Sequence, residues 1–391
     1  MYWYCLLGLA IVLALVHIVP SLMSLLYIHL GFHRYLRQHQ GPLPKVALFV
    51  PCKGLSPGLA QNLEALARQE YKHFNVTYIS ESVEDPANEA IEGVVRRYPH
   101  CRHVVAGLAT CNGQKNHNLL KAIETDVGSD VYAFCDSDVR PAPNWLSMLV
   151  GTLCSDDVAA ATGTMWITPK QPKLGATLHS MMAAFQAMLL SIDPLRGVWG
   201  GGMAMRSQTF ERLDVAKTWQ HTVVDDVTVD RLLRDTKAAK RYDPRCLTVT
   251  QEAAASVREA IVWFTRQILY TKFYLRPLWL VALVAFVPSS LLMIAALPLA
   301  IAGLFVGSLA PAGLICLGFS LVSMLSNTTV KLICRDGQRA LRWFLLAPLA
   351  EWLSTYCLVK TVFMRTLRWG DVAYRLDRAG RVVNLERLDE A

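Results

Sequence analysis

At 391 residues the chain is too long for one small domain, and 53% hydrophobic against 18% charged residues is too apolar for a purely soluble enzyme. The formal charge of +8 does not point to nucleic acid, because the basic residues cluster in "RQHQGPLPK" and "WFTRQILYTKFYLRP", beside apolar spans where anionic lipid headgroups account for them. Ten cysteines with no C-x-x-C pair and no regular spacing exclude a recognisable disulfide framework or zinc site and fit a reducing cytoplasm.

In chain order, Tyr2 to Tyr27 contains no Lys, Arg, Asp or Glu, enough apolar helix for a hydrocarbon core of about 30 Å. The segment opens "MYWYCLLGLA", without an early basic residue, and ends in bulky rather than small side chains. It reads as a retained anchor over residues 1–28 rather than a cleaved signal. Arg34, Arg37 and Lys45 follow it, so the positive-inside rule places the next domain on the cytoplasmic face of an integral membrane protein.

From 42 to 255 short β-rich runs alternate with helical patterns. "KVALFV", "NVTYIS", "RHVVAG" and "VYAFCD" are the strands; "PGLAQNLEALARQEY", "PANEAIEGVVRRY" and "QKNHNLLKAIE" are the helices between them. This alternation predicts an α/β domain on a mostly parallel, Rossmann-like sheet with both faces covered. Ligands of such sheets sit outside the carboxyl ends of the strands. Residues 256–276 read as a basic amphipathic helix at the membrane surface, with Trp263, Phe264, Tyr270 and Tyr274 at headgroup level. Pro277 to Val330 again lacks charge and suits a transmembrane hairpin of two spans, interrupted by Pro288, Pro298 and Pro311. Residues 331–391 then comprise a basic loop, an interfacial or third membrane segment containing Glu351 and Lys360, and a C-terminal tail.

"VYAFCDSDVRP" runs a buried strand into Asp136 and Asp138. Residues two apart on a strand face one side, so the pair could offer hard oxygen ligands to Mg²⁺ or Mn²⁺; an Asp-Ser-Asp turn is the alternative. In "LFVPCKG", Lys53 could meet an anion or simply be solvated. Asp85 in "SESVEDPANEA" could serve a ligand or cap the helix begun by Pro86, and Asp225 and Asp226 in "HTVVDDVTVDRLL" likewise precede a helical stretch. A carboxylate pair can also supply a general base, since one charge raises its neighbour's pKa.

Taken together, the order "VPCKGLSPGLAQNLEAL…VEDPA…CDSDVRP…WGGGMAMR…VVDDVTVDRLL" resembles membrane glycosyltransferases of the GT-A fold, closest to the ceramide glucosyltransferase group (family 21) beside family 2. The likeness extends over nearly the whole chain, anchor and C-terminal spans included. It implies that Asp226 is the catalytic base, with Asp225 and Arg266 beside it in the reaction. It implies a donor nucleotide site from Pro51, Lys53, Gly54, Glu84, Asp85, Lys115, Asp136, Gly201 and Gly202, and a Mn²⁺ or Mg²⁺ site from Asp136 and Asp138. The implied reaction moves a sugar, expected to be glucose, from a UDP-sugar to a lipid hydroxyl in the bilayer, as in glycolipid and sphingolipid metabolism. Alternatives are another lipid acceptor (a hopanoid, sterol, diacylglycerol or polyprenyl phosphate) or a catalytically silent membrane scaffold. One departure stands out: where the family has Arg-Trp on the interfacial helix, "FTRQILYTKFY" keeps Arg266 but has Leu269-Tyr270. Arg266 or Lys272 is expected to substitute for the missing arginine.

Overall fold

The computed structural model describes residues 2–31, 43–154, 158–171, 173–251, 253–333 and 337–388. The chain divides into a helical unit (1–31, 169–192 and 253–364) and an α/β unit (32–168, 193–252 and 365–391). Each unit is therefore assembled from three separated stretches. Arg34 and Arg37, used above to orient the membrane segments, lie outside the described residues.

The helical unit contains three helices long and apolar enough to cross a membrane, Tyr2–His29, Arg276–Phe305 and Gly307–Leu332. Ala10, Leu13, Leu292, Met293, Cys316 and Phe319 form a buried seam among them. The expected hairpin is present, but Pro288 and Pro298 lie inside one 30-residue helix rather than breaking it. The reversal falls instead at Val306–Leu309. A Cβ at Gly313 would stand 2.6 Å from Ala300 Cα, so the two helices of the hairpin approach backbone to backbone as small residues permit. The long helix Ala340–Phe363 carries Arg342, Glu351 and Lys360 and packs on the hairpin and on helix Val257–Tyr274. The latter is capped by Ser256, whose Oγ accepts from Glu259 N–H at 3.2 Å, while Glu259 Oε2 accepts from Ala255 N–H at 2.9 Å.

In the α/β unit the strands are β1 (Val46–Pro51), β2 (Phe74–Ser80), β3 (Cys101–Val105), β4 (Val131–Cys135), β5 (Arg140–Pro141), β6 (Val158–Ile167), β7 (Gly202–Arg206) and β8 (Ala239–Thr250). They form one sheet in the order β3-β2-β1-β4-β7-β6-β8-β5. The sequence reading of an α/β, mostly parallel sheet holds for β3-β2-β1-β4 and for β6 with β8. The exceptions are β7, which runs antiparallel to both β4 and β6, and the two-residue β5, which runs antiparallel to β8.

Strand periodicity explains the two covered faces. Leu48, Val50, Val76, Tyr78, Val131 and Ala133 point one way, onto Leu63, Leu66, Ile91 and Leu149 of the helices there. The alternate residues Ala47, Phe49, Ile79, Tyr132 and Phe134 point the other way, onto Leu119, Ala122, Trp219 and Leu233. Both sets are apolar, so β1 and β4 read as continuous hydrophobic runs.

Residues 366–387, within what the sequence reads as a tail, supply a second sheet to this unit. Strands β9 (Thr366–Trp369), β10 (Val372–Leu376) and β11 (Val382–Arg387) pair antiparallel in the order β11-β10-β9.

Candidate active site

The buried strand β4 ends where Asp136, Ser137 and Asp138 come partly into solvent. Register then decides what meets them. Antiparallel pairing sets Cys135 opposite Gly202, so the Trp199-Gly-Gly-Gly turn that feeds β7 folds over the end of β4. Gly202 N–H closes that turn on Trp199 O at 3.0 Å. A Cβ at Gly201 would fall 2.6 Å from Asp136 Oδ2 and 2.1 Å from the Trp199 ring, so only glycine permits the approach.

Lys115, in the first turn of helix Gln114–Ile123, reaches the same place. Its Nζ lies 2.7 Å from Asp136 Oδ1 and 2.9 Å from Asp225 Oδ2. Burial alone would lower its pKa, but the facing charges of Asp136, Asp225 and Asp226 outweigh burial and hold it well above the usual lysine range.

Asp225 and Asp226 open the helix Asp226–Asp235. Asp225 is almost wholly buried, with its carbonyl accepting from Trp219 Nε1 at 3.1 Å. Asp226 remains partly exposed. Its Oδ2 accepts from Gly200 N–H at 2.9 Å and its Oδ1 from Val227 N–H at 2.6 Å. Burial first, and the charge of Asp225 second, push the Asp226 carboxyl up to about 7, against the pull of Lys115 and the two backbone N–H groups. Gly200 is packed so closely that a Cβ there would meet Asp225 Oδ2 at 2.1 Å.

A second group of residues gathers at the ends of β1 and β2. Gly54, in the left-handed region at φ +63, donates its N–H to Asp85 Oδ1 at 2.9 Å, and the same oxygen accepts from Ala87 N–H at 2.9 Å. Asp85 thus ties the β1 loop to the start of the next helix. Lys53 Nζ is paired with Glu81 Oε1 at 3.0 Å and with Asp371 Oδ1 at 2.6 Å. Burial would depress its pKa, yet hydrogen bonds to Asp371 and Glu81 raise it. The lysine expected to meet an anion from outside is therefore bound to two carboxylates of its own chain. Pro51 closes β1 beside Ile79, and Glu84 is exposed.

Of the residues singled out in the sequence, the α/β unit brings Lys115, Asp136, Asp225, Asp226, Gly201 and Gly202 together around the end of β4. Arg266 belongs to helix Val257–Tyr274 of the helical unit, where with Ser256, Arg258, Glu259, Val262 and Trp263 it lines an open groove of about 460 Å³. Leu269 and Tyr270 on that helix are buried. Lys272, the other expected stand-in, is committed elsewhere. Its ammonium donates to the carbonyls of Thr361, Val362 and Met364 at 2.5, 3.2 and 2.7 Å, capping the end of helix Ala340–Phe363. Gly200, Glu81 and Asp371 were missed. Gly200 was visible in "WGGG" and Glu81 in "SESVEDP"; nothing local marks Asp371.

With this geometry established, comparison places the chain. The model of glycosyl transferase family 21 matches residues 10–382. The chain belongs to that family. Its reaction is glycosyl transfer, the expectation raised by the motif order. Among solved structures, this glycosyltransferase is similar to the mannosyltransferase PcManGT from Pyrobaculum calidifontis in complex with GDP-Man and Mn²⁺. That match has 15% identity and a TM-score of 0.49, covering 92% of this chain and 99% of the other. A mycobacterial protein matches at 14% identity and TM-score 0.39, covering 59% of this chain and 74% of the other.

Proposed function

We propose that this family 21 glycosyltransferase is an inverting enzyme that moves a sugar, glucose in the first instance, from a UDP-sugar to the hydroxyl of a membrane lipid, with the α/β unit in the cytoplasm. The observation that carries the reading is the state of Asp226. It is partly open to solvent, oriented by two backbone N–H groups, and held near neutrality beside a buried, lysine-bound Asp225. A general base works best with a pKa near the operating pH.

In this reading Asp226 accepts the proton of the acceptor hydroxyl as its oxygen forms a bond to the anomeric carbon. The bond from that carbon to the diphosphate oxygen breaks, the electron pair leaves with UDP, and the anomeric centre inverts. Asp225 is too buried to touch substrate and acts as a positioning residue, through its charge on Asp226 and its hold on Lys115. Gly201 and Gly202 leave room for the sugar, and Gly54 and Asp85 shape the nucleotide side.

Asp136 and Asp138 fit a divalent cation. Among the described residues no three His, Cys, Asp or Glu side chains form a metal cluster. Mg²⁺ and Mn²⁺ at nucleotide sites, however, take one or two carboxylates and complete their shell with phosphate oxygen and water. Asp136 and Asp138 would hold the ion, which when bound would offset negative charge on the departing diphosphate. Membrane residence is supported by the three long apolar helices, and the cytoplasmic side by Arg339 and Arg342 after them. Buried Leu269 and Tyr270 in place of Arg-Trp favour a second reading for the acceptor, a lipid other than ceramide.

The test is UDP release from UDP-glucose by the purified full-length protein in the presence of Mn²⁺ and a lipid extract, with hexosylated lipid identified by mass spectrometry. Asp226→Asn should reduce turnover by orders of magnitude and leave UDP binding largely intact; a fully active variant would sink the assignment.

A further inference from the structure

The C-terminal sheet grips both lysine-bearing segments of the site, although its contacts with them join residues 318 and 260 apart in sequence. Gly370, at φ +57, lets the chain reverse in two residues between Trp369 and Val372. That places Asp371 at the tip of the β9–β10 hairpin, where its carboxylate takes Lys53 Nζ at 2.6 Å. Leu388 N–H donates to Asp371 O at 2.7 Å, so the tip is held from the far end of β11 as well. Two further anchors reach the segment that carries the second lysine. The buried Tyr374 hydroxyl accepts from Gln114 N–H at 3.3 Å, and Arg387 Nη2 donates to Gln114 Oε1 at 3.0 Å and to Ala109 O at 3.3 Å. Gln114 is the residue before Lys115. Val382 N–H binds His221 O at 2.8 Å, four residues ahead of Asp225.

Lys53 has a second partner in Glu81, whose other oxygen, Oε2, is buried and has no hydrogen-bond partner among the described residues. An ammonium between two carboxylates is held in one place, and so are the carboxylates. We propose that the C-terminal sheet is part of the donor site and that Asp371 is a positioning residue for it. Asp371 fixes Lys53 and, through Lys53, the Glu81 carboxylate and the β1 loop against which the nucleotide binds. This inference rests on the nucleotide-sugar reading of the site given above. Its physical basis is preorganisation: a long lysine side chain ordered before binding does not have to be ordered by the ligand.

The experiment compares donor KM and kcat for full-length wild type, Asp371→Asn, Asp371→Glu and Asp377→Ala, with UDP-glucose as the varied substrate. Asp377 accepts from Ala379 and Arg381 N–H in the β10–β11 turn and touches neither lysine, so it reports on the sheet alone. Asp371→Asn should raise donor KM about fivefold or more with kcat changed less than twofold, Asp371→Glu should recover most of the loss, and Asp377→Ala should leave donor KM unchanged. An unaltered or lowered KM in Asp371→Asn, or equal effects of Asp371→Asn and Asp377→Ala, overturns the proposal while wild-type turnover upholds the nucleotide-sugar reading. Wild type that releases no UDP removes that reading and this inference with it.

Discussion

The Lys115 ammonium stands 2.7 Å from the Asp136 carboxylate, joining the end of strand β4 to the helix Gln114–Ile123. Because the same ammonium also takes Asp225 at 2.9 Å, one buried cation links the proposed metal carboxylate to the neighbour of the proposed base. Removing one member of a buried charge pair leaves the others uncompensated, at a cost of about 3–5 kcal/mol. Lys115→Met should therefore lower the melting temperature by several degrees and lower kcat at least a hundredfold. Thermal unfolding of the detergent-solubilised protein beside a turnover assay checks both.

The Asp226 carboxyl titrates at about 7 and must be ionised to accept a proton. As pH falls through that value the group is protonated and the base is lost. The logarithm of kcat should accordingly rise with a slope of about one below pH 7 and flatten above it. Asp226→Asn should lack the rising limb. A pH–rate profile of both proteins between pH 5.5 and 8.5 decides this.

Gly200 leaves no room for a side chain, since a Cβ would meet Asp225 Oδ2 at 2.1 Å and Lys115 holds that carboxylate in place. Gly200→Ala should cut activity about a hundredfold or more, by displacing Asp225 and the N–H that orients Asp226. Gly93, inside helix Ala87–Val95, has nothing within 4 Å of its would-be Cβ. Gly93→Ala should keep full activity and gain up to about 1 kcal/mol of stability.

Removal of divalent metal with EDTA should abolish transfer, and Mn²⁺ should restore it. Asp138→Ala should raise the Mn²⁺ concentration needed for half-maximal rate by at least tenfold, because in the proposed site the ion would lose one of two carboxylates. Titration of Mn²⁺ into chelator-treated enzyme gives the number. An enzyme indifferent to EDTA would remove the metal from the reading.

If Arg266 takes part in the reaction, as the family resemblance implies, Arg266→Ala should lower kcat about a hundredfold with donor KM nearly unchanged. Lys272→Ala should instead weaken the end of helix Ala340–Phe363 and appear first in thermal stability. Steady-state kinetics and melting curves of the two variants separate the roles.

Much of this protein is local chemistry, and that part was legible. Runs of apolar residues such as Val46–Val50 and Val131–Cys135 bury on both sheet faces whatever surrounds them, so strand, helix and α/β class follow from periodicity. The uncharged stretches determine the long apolar helices in the same way. Motif order was enough to indicate the family, because "EDPA", "CDSD", "WGGG" and "VVDD" each sit at a strand or helix end. Sequence could not say which groups are adjacent across the sheet. The antiparallel entry of β7, which folds Gly200 and Gly201 over Asp225 and Asp136, depends on pairing register between strands about 70 residues apart, such as Cys135 with Gly202. Whether Lys53 is available to a ligand depended on Asp371, more than 300 residues away, and that pairing exists only once the C-terminal hairpin has folded. Short-range patterns record what a residue buries, while ion pairs and close approaches record which distant backbones the fold brings together.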